Sequence, residues 1–161
     1  MALYKGIPVR GITLFIFGGV SQLDKEPVSP RIELAVALIG PLISIVLASF
    51  FGLAWYLLGR GDSPLEVVLL LLAWTNLSLG VFNLVPGYPL DGGRLLRAGI
   101  WGITGNHYKA TWIAARMGQA IGLSIVSGGV LLAIFTGVVD GIWLGCIGMF
   151  LFFMARHSFP K

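Results

Sequence analysis

Residues 83–94 read Asn83-Leu84-Val85-Pro86-Gly87-Tyr88-Pro89-Leu90-Asp91-Gly92-Gly93-Arg94, at the close of a strongly apolar segment. Asp91 is the only carboxylate between Glu66 and Asp140. Pro86, Pro89, Gly92 and Gly93 together argue against a regular helix, so the chain is expected to unwind here. Backbone unwound at membrane depth has to line a cavity or pack inside protein. A carboxylate presented at such a place is a hard oxygen ligand or an acid/base group, and aspartate is an accepted zinc ligand. The same residues also read as an interfacial turn with Asp91 solvated. Residue types alone leave both readings open.

The setting narrows the class. Of 161 residues, 57% are hydrophobic and 11% charged, and the mean hydropathy is +0.90. A soluble domain averages about 25% charged residues. A core of this size does not hide so much apolar surface from water, so the bilayer is the expected solvent. The net charge of +4 is dispersed between apolar runs with no base-stacking module. Nucleic acid is therefore excluded as a partner, and the basic residues read as membrane-flank charges. The single Cys146 allows no disulfide within the chain and sits in an apolar run as a small core or lipid-facing residue.

The elements that must position Asp91 follow from length and punctuation. In residues 6–20, Val9, Ile12, Thr13, Leu14, Phe15, Ile16 and Phe17 are apolar, aromatic or β-branched, and the run is too short to span as a helix and bounded by glycines. They predict a strand over 7–17, with Gly18-Gly19 turning the chain. Ser29-Pro30 reads as an N-cap followed by proline at the first helical position, with Glu33 in the first turn facing the helix dipole. Four segments are expected to cross the membrane, at about 34–58, 65–85, 118–136 and 142–155, the last of them short for a full span. Gly40-Pro41 predicts a kink or loosened turn.

Asn76 and Asn83 lie seven apart on one helical face, where amides face protein or water or bond a neighbouring helix. Gly118, Gly122, Ser124 and Gly128 form two small-residue pairs spaced for close helix contact. The fold class is a membrane all-α bundle with a short membrane-associated β region. Four crossings put Lys5, Arg10, Lys25, Arg31, Arg94, Arg97, Lys109, Arg116, Arg156 and Lys161 on one side and only Arg60 on the other. The positive-inside rule makes the first side cytoplasmic and brings Asp91 to it. Arg94 and Arg97 read as anchors at that edge, and His107 and His157 as interfacial side chains.

The pattern Asn-x-x-Pro-x-x-Pro-x-Asp-Gly-Gly-Arg, at Asn83, Pro86, Pro89, Asp91, Gly92, Gly93 and Arg94, resembles the second metal motif of the site-2 protease family of intramembrane zinc metalloproteases. Gly6-Ile-Pro-Val-Arg-Gly-Ile-Thr-Leu-Phe-Ile-Phe-Gly-Gly is similar to that family's membrane-associated β region. Gly40-Pro41 resembles its next transmembrane helix, and Tyr108-Lys109-Ala110-Thr111 the region after the aspartate. The resemblance covers nearly the whole chain. It implies a metalloendopeptidase that hydrolyses transmembrane protein substrates within the lipid bilayer, with Zn2+ as cofactor and Asp91 as a metal ligand. It further implies Asn83 as a substrate or oxyanion contact, and Ile12, Leu14 and Ile16 on a strand that binds substrate by strand addition. Pro86, Pro89, Gly92 and Gly93 would shape the motif.

One departure is large. The family holds zinc with two histidines of a His-Glu-x-x-His helix plus the aspartate, and the glutamate is the general base. This sequence has only His107 and His157, and neither lies in such a motif. The resemblance therefore implies a chain supplying the Asp-bearing half of the site. The His-Glu-x-x-His helix is expected upstream of Met1, and CBS domains, as in the branch it most resembles, after Lys161. The expected location is the plasma membrane. A catalytically silent pseudoprotease or scaffold that binds transmembrane clients is the alternative, and a small transporter using Asp91 as an ion-coupling acid is a third reading.

Overall fold

The computed structural model describes residues 9–15, 18–23, 29–58, 63–135 and 137–159. They form a β-hairpin of β1 (Val9–Phe15) and β2 (Gly18–Leu23), then helices α1 (Pro30–Leu57), α2 (Pro64–Asn83), α3 (Asp91–Thr104), α4 (His107–Phe135) and α5 (Val138–His157). The hairpin is antiparallel, pairing Phe15 with Gly18 and Val9 with Leu23, with an irregularity between Val9 and Gly11. The sequence predicted one strand turned by Gly18-Gly19. Instead these glycines open a second strand, and the connection at 16–17 lies outside the described residues.

Four helices, α1, α2, α4 and α5, are long and apolar enough to cross a membrane. Large apolar side chains such as Phe50, Trp74, Leu131 and Trp143 point outward from them. That inverted surface is what a bilayer-facing helix requires. At 1.5 Å per residue, the 20 residues of α5 reach about 30 Å, the thickness of the hydrocarbon layer. α5 is thus long enough for a full span, longer than 142–155. Asp140 in its first turn and Arg156 and His157 in its last hide the true ends from an apolar window, yet each suits the helix dipole at its end.

The helix starts are set by local chemistry. The Ser29 hydroxyl accepts from the Ile32 N–H, and Pro30 takes N1 of α1. Ser63 and Glu66 form a reciprocal capping box at α2, with the Ser63 N–H donating to Glu66 Oε2 at 2.9 Å. The Asn106 side chain accepts from the Lys109 N–H at 2.9 Å and caps α4. α4 therefore begins three turns before the apolar run that predicted it. Its early turns are held by burial of Ala110, Thr111, Ala114 and Ala115.

The helices pack as two antiparallel pairs, α1 with α2 and α4 with α5, and α3 touches both α1 and α4. The α4–α5 seam runs on Gly118, Gly122 and Gly129 against Ala155, Gly148 and Gly141. A Cβ on Gly122 would lie 2.7 Å from the Phe152 nitrogen, so the backbones are in direct contact. Of the two small-residue pairs seen in the sequence, Gly118–Gly122 lies on this seam. Ser124 is exposed and returns its hydroxyl to the Ala120 carbonyl, and Gly129 rather than Gly128 continues the seam. Steps of four and seven keep one face turned to the partner; Ser124 rotates away from it, and Gly128 flanks the seam, meeting only the Leu144 side chain.

Candidate functional site

α2 ends at Asn83 and α3 begins at Asp91, and both lie along α1. Gly80 packs on Pro41, Ser44 and Ile45, where an added Cβ would sit 3.2 to 3.3 Å from them. Asp91 Oδ2 lies 3.0 Å from the position a Cβ on Gly40 would take. Farther along, Arg97 bonds Glu33, and Gly102 faces Pro30. Thus α2 and α3 run in one direction along α1, opposite to its own, with a break at the level of Gly40. Ten residues separate Gly40 from Pro30, about 15 Å along the helix. Asp91 therefore sits within the length of α1 and not at its end.

The break is built to satisfy its own backbone. Val85 N–H donates to Phe82 O, Gly87 N–H to Val85 O and Leu90 N–H to Gly87 O, at 2.8 to 3.1 Å. Tyr88 N–H donates to the Ala114 carbonyl of α4 at 3.3 Å, and the Tyr88–Pro89 peptide is cis. Such pairing is what non-helical backbone needs where water is scarce.

Gly92 and Gly93 do not unwind the chain, as the sequence suggested; they lie buried in the first turn of α3. Any Cβ at Gly92 would collide with the Leu84 and Val85 carbonyl oxygens, and one at Gly93 with Gly87 and Tyr88. They are glycine because the loop folds back onto the helix start. Pro86 and Pro89 both fall in the loop, after the last residue of α2 and before the first of α3, where no helical N–H is missed.

Asp91 is half-buried at the first position of α3, where the helix dipole favours an anion. Burial pushes its carboxyl up from the ordinary range, and the Arg94 guanidinium opposes that. Gly40, which it faces, is exposed, so the carboxylate opens onto the outside of the bundle. Asn83 is half-buried at the other lip of the break, and no described residue bonds its side chain. Asn76 returns its amide to the Leu72 carbonyl at 2.8 Å, inside its own helix. Asn76 and Asn83 therefore do not act as a pair.

An aspartate carboxylate suits zinc as one ligand, and catalytic zinc takes three protein ligands with an open position for water. Among the described residues no group of three His, Cys, Asp or Glu is gathered. His107 stacks edge-on to Trp101 at 4.7 Å, and His157 Nδ1 lies 2.8 Å from the Phe153 carbonyl. Of the strand positions, Ile12 pairs with Ser21 and Leu14 with Gly19, while Ile16 lies outside the described residues.

Arg97 departs most from its sequence reading. It is no edge anchor: it is 7% exposed and donates through Nε to Glu33 Oε1 at 2.6 Å. Its Nη2 reaches the same oxygen, and the guanidinium lies 5.4 Å over the Tyr88 ring. The signal available in the sequence was negative. Neither Glu33 nor Arg97 has an opposite charge three or four residues away on its own helix.

A bundle of membrane-length helices, broken beside the Gly40-Pro41 stretch of α1 to present a half-buried acid, defines an integral membrane protein with a candidate metal-ligand site. Comparison with known proteins gives the family. The model of peptidase family M50 matches residues 61–125. A solved site-2 protease from Methanocaldococcus jannaschii superposes with a TM-score of 0.72 at 32% identity, covering 99% of this chain and 69% of that one. Rip3 of Mycobacterium tuberculosis strain H37Rv is 40% identical over 160 residues, and zinc metalloprotease MJ0392 of Methanocaldococcus jannaschii is 35% identical over 128. The chain spans 41% of the length of Rip3 and 36% of MJ0392. It belongs to the site-2 protease family of M50 metallopeptidases.

Proposed function

We propose that this chain supplies the aspartate-bearing half of an intramembrane zinc endopeptidase site. The observation that carries this reading is the Asp91 carboxylate, held at a helix break and opening past Gly40 to the outside of the bundle. Asp91 is the metal ligand of this half. Two further ligands and the general base come from a His-Glu-x-x-His segment that these 161 residues do not contain. Zinc in such a site polarises a scissile carbonyl and brings the pKa of bound water toward about 7.

The chain's own residues hold and orient. Loop 84–90 and the Gly92-Gly93 turn fix the position of Asp91, supported by Pro86 and Pro89. Asn83, with its side chain unengaged at the opposite lip, hydrogen-bonds substrate backbone or the developing oxyanion. Substrates are transmembrane proteins. A helical peptide bond is shielded, so the substrate must unwind, and β1 offers a strand edge for it through Ile12 and Leu14. In support, the described sheet has only two strands. Asp91 faces the cytoplasmic side of the plasma membrane in this reading, and the excess of basic residues on one side of the four crossings supports that orientation.

The test uses the whole protein that carries this chain, with and without Asp91→Ala. Zinc content is measured together with cleavage of a transmembrane reporter. The expected result is loss of zinc affinity by at least about 100-fold and loss of cleavage. Unchanged zinc and cleavage would remove Asp91 from the site. A wild-type protein that holds no zinc and cleaves nothing would favour the second reading, a silent scaffold for transmembrane clients, which rests on the single metal donor found here.

A further inference from the structure

Buried Glu33 and Arg97 and half-buried Tyr88 form a cluster that touches no reacting atom. Glu33 is 1% exposed in the first turn of α1, and Arg97 lies in the second turn of α3. Both Nε and Nη2 of Arg97 converge on Glu33 Oε1, while the buried Oε2 bonds no described residue. Tyr88 comes from the loop, lies under the guanidinium, and ties its own N–H to α4. One side chain thus joins α1, α3 and the loop.

We propose that Arg97 is a positioning residue that sets the register of α3 on α1 and so fixes the Asp91 carboxylate opposite Gly40. The physical reason is the difference between charge and apolar packing. Apolar contacts between helices in lipid have little register preference, because lipid tails are as apolar as the side chains. A one-residue slide of α3 would move Arg97 about 1.5 Å from Glu33. It would leave a buried charge without its partner, so the pair penalises the slide steeply. From Arg97 back to Asp91 is less than two helical turns, and from Glu33 on to Gly40 is two turns, so a register fixed at one end is transmitted to the other. Glu33 and Tyr88 act through Arg97 and touch no reacting atom.

This inference rests on the proposed metal-ligand role of Asp91 only for its purpose. Its test contains no metal. In a Cys146→Ser background, Gly40→Cys and Asp91→Cys form a reporter pair across the α1–α3 joint. Gly128→Cys and Leu144→Cys form a control pair across α4–α5, where a Cβ on Gly128 lies 4.0 Å from Leu144 Cδ2. Disulfide formation under an added oxidant is timed in membranes, with and without the double replacement Glu33→Leu/Arg97→Met, which removes both charges together.

The expected result is that the 40–91 disulfide forms about tenfold more slowly in the double variant while 128–144 is unchanged. Restoring Glu33 and placing lysine at 97 recovers the rate only in part, because lysine lacks the planar fork. Equal rates at 40–91 with and without the pair overturn the proposal. So does equal slowing at both reporters, which would make the pair a general support of the fold. Loss of zinc binding through Asp91 is read separately, so this proposal and the metalloprotease reading fail on different measurements.

Discussion

Two helix contacts of this molecule, α4–α5 and α1–α3, are made in opposite ways. The α4–α5 seam is made of Gly118, Gly122, Gly129, Gly141, Gly148 and Ala155, with helix backbones touching and no buried charge. The α1–α3 joint has a buried Glu33–Arg97 pair, a tyrosine ring beneath it and a half-buried acid at its end. In lipid, two unbroken helices gain chiefly from close packing, so small residues suffice. A broken helix has to fix the position of one carboxylate, and non-directional packing does not do that. The seam gives proximity, and the joint gives register.

The sharpest way to break the contrast is Arg97→Leu. It strands the Glu33 carboxylate and is expected to cost about 3–5 kcal/mol, whereas Glu33→Leu/Arg97→Met should be near neutral. Thermal unfolding in detergent measures both, and equal losses would show that the joint is ordinary packing. At the seam, Gly122→Val should cost about 1–3 kcal/mol by driving a side chain into the Phe152 and Gly148 backbone. Gly145→Ala is its control. A Cβ there meets nothing within 4 Å, so stability should hold or rise by up to about 1 kcal/mol.

Smaller effects test the ends and the exposed face. Ser63→Ala removes one half of the α2 capping box and should cost about 1 kcal/mol, read by the same unfolding and by proteolysis near residue 63. Asn76→Leu should change stability by no more than about 0.5 kcal/mol, because its amide serves only its own helix. A larger loss would mean that Asn76 bonds across helices after all.

Much of this was legible in the residues. Composition called for the bilayer, and the apolar runs gave four crossings. The Asn83–Arg94 pattern pointed to the family and to Asp91. α3 was not legible. Its stretch carries Gly92, Gly93, Gly99 and Gly102, a composition that argues against a helix, and the first two are there to admit the loop carbonyls. The early start of α4 was masked by His107, Lys109 and Arg116, which interrupt the apolar window that marks a span.

What the sequence determined by itself is what depends on local chemistry and solvent preference: the membrane class, the helix cap at Ser29, the break after Asn83 and the chemical type of Asp91. Tertiary structure alone decided where that acid points. Asp91 meets Gly40, Arg97 meets Glu33 and Tyr88 meets Ala114, each across a long separation in the chain. No periodicity encodes such pairings. They arise because a buried charge and a buried backbone N–H must each find a partner, and only the packed chain supplies it.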